Sequence, residues 1–171
     1  MVWTIQNELL ARAESMLGSR NQSKKVYQPI FRSDGPVVVN TPNFDGAFAA
    51  LSLDAAGYWP TVVYELAHET VHLLDPIAGH TNWLEEGAAV EFSVLMSQSL
   101  TSHAMEPASA SNYALARSLV AQLPATTLSS IGLLRQRFGA LSSITADQIQ
   151  AAFPNVPEDI AIRLASPCRP R

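Results

Sequence analysis

The chain has 171 residues, of which 47% are hydrophobic and 15% are charged; this composition is typical of one globular domain over residues 1–171 and argues against disorder or a fibrous repeat. Its formal net charge is −4 and its 11 basic residues are scattered, so the charge pattern predicts neither a nucleic-acid partner nor binding to an anionic membrane surface. A core of the size that this length allows needs no disulfide or structural metal, so any metal must be inferred from side-chain chemistry.

The first part of the sequence predicts one helix and a small sheet. Apolar residues recur at helical spacing over residues 5–17, and Gly18 follows as a C-terminal cap. Two β-prone segments, residues 26–31 and 37–40, flank a Ser-Asp-Gly-Pro turn signal and predict a hairpin. After a second turn signal, residues 47–53 predict a third strand.

From residue 60 onward the sequence predicts helices. Pro60 suits the first turn of a helix over residues 60–74, which ends there because the residue before a proline, here Asp75, avoids the α region. Asn82 has the character of an N-cap for the next helix, residues 83–99. Further helices are predicted over residues 112–123, 128–138, 145–153 and 157–165. Strands early and helices late indicate an α+β fold.

The sequence predicts neither a secretory signal nor a membrane span. The single cysteine, Cys168, cannot form an internal disulfide, which favours a reducing compartment. The N-terminal residues lack the basic and apolar regions of a signal peptide. The longest charge-free run, residues 118–134, contains Pro124 and several hydroxyl residues, unlike a membrane span. We therefore expect a cytoplasmic protein that does not enter the membrane; the sequence leaves its oligomeric state open.

The sequence His68-Glu69-Thr-Val-His72 is a His-Glu-x-x-His motif in the middle of a predicted helix. Residues four apart lie on one helix face, so His68 and His72 can direct both imidazoles at one metal ion. Glu69 lies about 100° further round, where it can reach a water activated by that ion. The residues on the other faces of this predicted helix are apolar, which indicates that the helix packs into the protein core.

A third ligand is expected at the start of the following helix. Glu86 is the first choice, because the capping pattern from Asn82 uses Glu85, and because small residues after Glu86 permit close helix packing. Glu85, Asp75 and His80 are the competitors for this position.

These residues resemble a known group of enzymes, the gluzincin metallopeptidases. The resemblance rests on His68-Glu69-x-x-His72 followed by Trp83-Leu84-x-Glu86-Gly87-x-Ala89, and it covers about residues 60–99. It implies a zincin-like fold and one zinc ion held by the two histidines and the glutamate before glycine. It also implies that the motif glutamate, Glu69, is the general base in peptide-bond hydrolysis. Only 13 residues separate His72 from Glu86, fewer than in the better-known gluzincins.

A second, weaker resemblance is to the short regulatory zincins of the ImmA/IrrE type. It covers the stretch that begins at Glu85 and also selects Glu86 as the ligand. It implies a narrowly specific protease that cleaves one protein partner rather than peptides in general. The alternative from another class is a non-catalytic zincin-fold module that binds a protein and keeps the metal as a structural element.

Other polar residues around the motif have open roles. Glu65 and Asp75 share the ligand face and can orient an imidazole through its second nitrogen or remain solvated charges. Glu91 is expected in a salt bridge or at the surface. Peptide hydrolysis also requires a hydrogen-bond donor to the developing oxyanion. Tyr113, His103 and Tyr64 are the candidates, and the sequence gives no basis for choosing among them. Cys168 lies where nothing lowers its pKa, so a cysteine nucleophile is not expected.

Overall fold

The computed structural model describes residues 1–109 and 111–168. Within them the chain forms an α+β fold with seven α-helices, four short strands and two 3-10 helices. The helices are α1 (Val2–Leu17), α2 (Trp59–His72), α3 (Trp83–Leu100), α4 (Asn112–Val120), α5 (Thr127–Phe138), α6 (Ala146–Ala152) and α7 (Glu158–Ala165); the strands are β1 (Lys25–Val26), β2 (Ile30–Arg32), β3 (Val37–Asn40) and β4 (Gly46–Ser52). Every helix predicted from the sequence is present, and the predicted α+β class is confirmed.

The chain divides into two compact units. Unit 1 comprises residues 1–15, 19–78 and 92–106, and unit 2 comprises residues 16–18, 79–91 and the chain from 107 onward. Helix α3 supplies residues to both units. The single domain expected from the sequence stays a prediction. None of the helices formed by the described residues has the combination of length and hydropathy that crossing a bilayer requires.

The sheet of unit 1 is organised around β4. Strands β1 and β2 pair with β4 in parallel, with Phe31 opposite Leu51, and β3 pairs with it antiparallel, with Val38 opposite Ala49. The predicted hairpin between residues 26–31 and 37–40 is therefore wrong, since both segments pair with β4. The reason lies in the small side chains of β4, which is buried on both faces and so takes the central position.

Within unit 1, polar side-chain contacts join helix α2 to strand β4 and to helix α1. The Glu65 carboxylate accepts hydrogen bonds from the backbone N–H of Ser52 (2.8 Å) and from its hydroxyl (2.6 Å), which fixes α2 to the end of β4. The buried amide of Gln6 on α1 donates to the hydroxyl of Thr70 (2.8 Å), which itself donates to the carbonyl of Leu66. Both contacts restrict sliding and rotation of the helix that carries the motif.

In unit 2 the first turns of α3 pack closely on α4. A Cβ placed on Gly87 would lie 2.4 Å from Val120 Cγ1 and 2.6 Å from the carbonyl oxygen of Ala116, so only glycine fits there. Arg117 of α4 pairs with Glu91 of α3 at 2.7 Å, which confirms the first of the two roles expected for Glu91, a salt bridge or a surface position. The first helical turns of α3 are thus held at a fixed distance from α4.

Replacing Gly87 by alanine should destabilise the protein. Alanine normally stabilises a helix interior relative to glycine by roughly 0.5–1 kcal/mol, but here its methyl group overlaps Val120 and the Ala116 carbonyl. We expect the free energy of unfolding to fall by about 1–3 kcal/mol, measured by urea denaturation. Gly57→Ala is the matched control, because a Cβ at that position meets nothing within 4 Å. Equal stability of the two variants would contradict the close packing.

Candidate metal centre

The two histidines of the motif face each other on α2. Their Nε2 atoms lie 3.2 Å apart and their ring centroids 5.0 Å apart, with the rings close to edge-on. His68 is buried, with 7% of its surface exposed, and His72 is partly buried. Two nitrogens bound to one zinc ion at about 2.0–2.1 Å in tetrahedral geometry lie about 3.3 Å apart. The pair therefore has the spacing of two ligands of one ion, a spacing that a hydrogen bond between neutral imidazoles also produces.

Glu86 lies in the first turn of α3, where the N-cap sets its position. The Asn82 Oδ1 atom accepts a hydrogen bond from the backbone N–H of Glu85 at 2.9 Å, as the capping pattern predicts. Glu86 is 4% exposed, and its Oε1 atom accepts a hydrogen bond from the Thr81 hydroxyl at 2.5 Å. The carboxylate is thus buried and its orientation is fixed by a neighbouring side chain.

The structure brings His68, His72 and Glu86 into one cluster. One ligand atom of each residue lies within 4.8 Å of the corresponding atoms of the other two, in a search of residues 1–109 and 111–168. Two imidazole nitrogens and one carboxylate oxygen form a donor set that zinc accepts, and three protein ligands with one open position are typical of catalytic rather than structural sites. The cluster can therefore hold a metal ion.

Glu69 is adjacent in sequence to His68, a member of this cluster, but it is not itself a member. It follows His68 on α2 and is 3% exposed. The grouping of ligand atoms takes the two histidines of the motif and Glu86. The assignment of Glu69 as the general base stays a prediction.

The competing ligands lie outside the cluster found among the described residues. His80 is exposed, Asp75 is partly buried and Glu85 is buried. Both carboxylate oxygens of Glu65 accept hydrogen bonds from Ser52, which holds this side chain at the end of β4. Its role in orienting an imidazole stays a prediction. The local spacing of three residues to His68 could not reveal this contact with the sheet.

The three candidates for stabilising an oxyanion differ in their surroundings. The Nδ1 atom of His103 lies 2.8 Å from the Tyr58 hydroxyl in an exposed pair. Tyr64 on α2 and Tyr113 on α4 are partly buried. A choice among Tyr113, His103 and Tyr64 stays open.

Sequence reasoning missed two residues beside Glu86. Thr81 donates to its carboxylate, and Cys168, near the C-terminus, is buried with its backbone N–H donating to the Thr81 carbonyl at 2.8 Å. Burial raises the pKa of the Cys168 thiol to about 12; the Glu86 carboxylate adds to the rise and Arg163 opposes it. Thr81 precedes the N-cap, a position whose side chain commonly meets the fourth helical residue, so its contact had a signal in the sequence.

Comparisons with known proteins identify no relative from which a function could be inferred. The chain matches no protein-family model, and no curated protein or solved structure is significantly similar to it. The gluzincin resemblance stays a prediction from the motif residues of α2 and α3. The case for a metal site depends on the donor atoms, their burial and their distances.

The Cys168 thiol should be unreactive in the folded protein. It is 1% exposed, and its raised pKa leaves a very small thiolate fraction at neutral pH. We expect Ellman's reagent at pH 7.5 to label the native protein at least about 100-fold more slowly than the protein in 6 M guanidinium. The chain has one cysteine, so the absorbance reports this residue alone. Rapid labelling of native protein would contradict the buried position.

Proposed function

We propose that this protein is a zinc-dependent metallopeptidase with a zincin-like fold. His68, His72 and Glu86 would hold one zinc ion, and Glu69 would act as the general base in peptide-bond hydrolysis. The observation that carries the proposal is the convergence of one ligand atom from each of the three residues to within 4.8 Å. The chemistry of these donors suits zinc, which accepts imidazole nitrogen and carboxylate oxygen.

Zinc at this position would supply Lewis acidity toward the scissile carbonyl and toward a water nucleophile. The proton transfers are carried out by a side chain of the protein. The Glu69 carboxylate takes a proton from the attacking water and delivers it to the leaving amine, the usual work of a general base that becomes a general acid. Its position directly after His68 gives this carboxylate a fixed relation to the first ligand.

The helix that carries both histidines and Glu69 is rigidly supported. Ser52 holds Glu65 one turn before the motif, and Gln6 holds Thr70 inside it. Active sites depend on such support, because a displacement of about 1 Å weakens catalysis strongly. The two anchors therefore serve to keep the histidine pair and the base in register.

The composition of the cluster favours catalysis over a purely structural metal. Structural zinc sites usually have four protein ligands, often cysteines. The cluster among the described residues has three members, and none of them is a cysteine. A position left to solvent is what hydrolysis by an activated water requires.

Zinc content tests the ligand set. His72→Ala should reduce bound zinc from about one equivalent to near zero, measured by mass spectrometry of the metal after dialysis, because loss of one of three ligands weakens binding severely. His80→Ala is the matched control and should keep full zinc, since His80 is exposed. Equal zinc in the His72→Ala and unsubstituted proteins would exclude the proposed site.

Glu69→Gln tests the chemical step. The amide cannot take a proton from water, so we expect bound zinc to be retained while cleavage of a quenched fluorescent peptide library falls by a factor of about 10² to 10⁴. Glu158→Gln on the exposed start of α7 makes the same chemical change away from the cluster and should remain fully active. Full activity in Glu69→Gln would remove Glu69 from the mechanism. Zinc binding without cleavage of any peptide by the unsubstituted protein would instead favour the partner-binding module.

A further inference from the structure

We propose that Thr81 is a positioning residue for Glu86, and that the C-terminal segment Ser166–Cys168 holds Thr81 in place. The inference rests on the metal site proposed above and assigns it a supporting side chain. Its basis is the hydrogen bond from the Thr81 hydroxyl to Glu86 Oε1 at 2.5 Å. All of the residues involved belong to unit 2.

The contact follows from the way α3 begins. With Asn82 as the N-cap, Thr81 precedes the cap and Glu86 is the fourth residue of the helix. Side chains at these two positions meet in many helices, where they form an apolar contact that fixes the entry of the chain. Here the same two positions carry a hydroxyl donor and a carboxylate acceptor. The geometry of the helix start therefore directs the Thr81 hydroxyl at the proposed ligand.

The backbone around Thr81 is held by a short antiparallel bridge to the C-terminal segment. The Cys168 N–H donates to the Thr81 carbonyl at 2.8 Å, and the Trp83 N–H donates to the Ser166 carbonyl at 3.2 Å. Asn82 and Pro167 are the bridge partners between these two hydrogen bonds. The side chain of Asn82 adds a further fixed point, since it donates to the Leu141 carbonyl at 2.8 Å. Thr81 therefore has little freedom to turn away from Glu86.

A hydrogen bond to one oxygen of a carboxylate ligand restricts the rotation of the group about its last side-chain bond. A ligand that is already oriented loses less conformational freedom when it coordinates, so the site binds its metal more tightly. Removal of such supporting hydrogen bonds commonly weakens metal affinity by about 10- to 100-fold. A residue that stabilised only the start of the helix would change the unfolding free energy and leave the metal affinity unaltered.

The test compares the zinc dissociation constants of three purified variants by competition with a chromophoric chelator. Thr81→Val keeps the shape but removes the donor, and we expect zinc to bind about 10- to 100-fold more weakly. Thr81→Ser keeps the hydroxyl and should restore binding to within a few-fold of the unsubstituted protein. Thr127→Val on α5 makes the same exchange at a threonine outside the cluster and should not change the affinity.

Cobalt(II) provides a second readout that a structural role would not move. The visible absorption bands of the cobalt protein should shift in Thr81→Val and return in Thr81→Ser, because they report the ligand geometry around the ion. If Thr81→Val does not fold, Thr81→Ala removes the same hydroxyl and takes its place.

The outcomes separate this inference from the proposed function. Unchanged zinc affinity and an unchanged cobalt spectrum in Thr81→Val, in a protein whose His72→Ala variant loses zinc, would overturn the role of Thr81 and leave the metal site standing. Failure of the unsubstituted protein to bind zinc or cobalt would overturn both. Weakened binding in Thr81→Ser equal to that in Thr81→Val would also overturn the inference, because the hydroxyl would then not be the cause.

Discussion

The convergence of His68, His72 and Glu86 is the constraint on which the account depends. Burial of imidazole and carboxylate groups is unfavourable unless their polar atoms are satisfied, and the attraction between unlike charges is stronger in a protein interior than in water. A divalent cation would satisfy ligand atoms of all three residues at once. The separation of 3.2 Å between the two Nε2 atoms already matches the distance that a shared ion requires.

Contacts within each unit hold the elements that carry these residues. In unit 1, Ser52 and Gln6 hold the histidine helix at two points, one on the side of the sheet and one on the side of α1. In unit 2, Gly87 allows the first turns of α3 to approach α4, and Thr81 holds the Glu86 carboxylate. Side chains on supported helices keep their geometry better than side chains on loops.

Sequence reasoning succeeded where the information is local. The four-residue spacing predicted that His68 and His72 share one helix face. Pro60 and Asn82 predicted where two helices begin, and the N-cap at Asn82 pointed to Glu86 in the first turn of the second helix. It failed for the sheet, because the alanines of β4 gave no sign that this strand lies between the others. The contacts of Glu65 with Ser52 and of Cys168 with Thr81 join segments that are distant in the chain, and only the folded structure brings them together.

X-ray absorption at the zinc K-edge of the zinc-loaded protein tests the central claim most directly, because it reports the atoms bound to the ion. We expect two imidazole nitrogens at about 2.0–2.1 Å, with their characteristic outer-ring scattering, and oxygen donors at about 2.0–2.2 Å. A spectrum without imidazole scattering, or one dominated by sulfur at about 2.3 Å, would contradict the central claim.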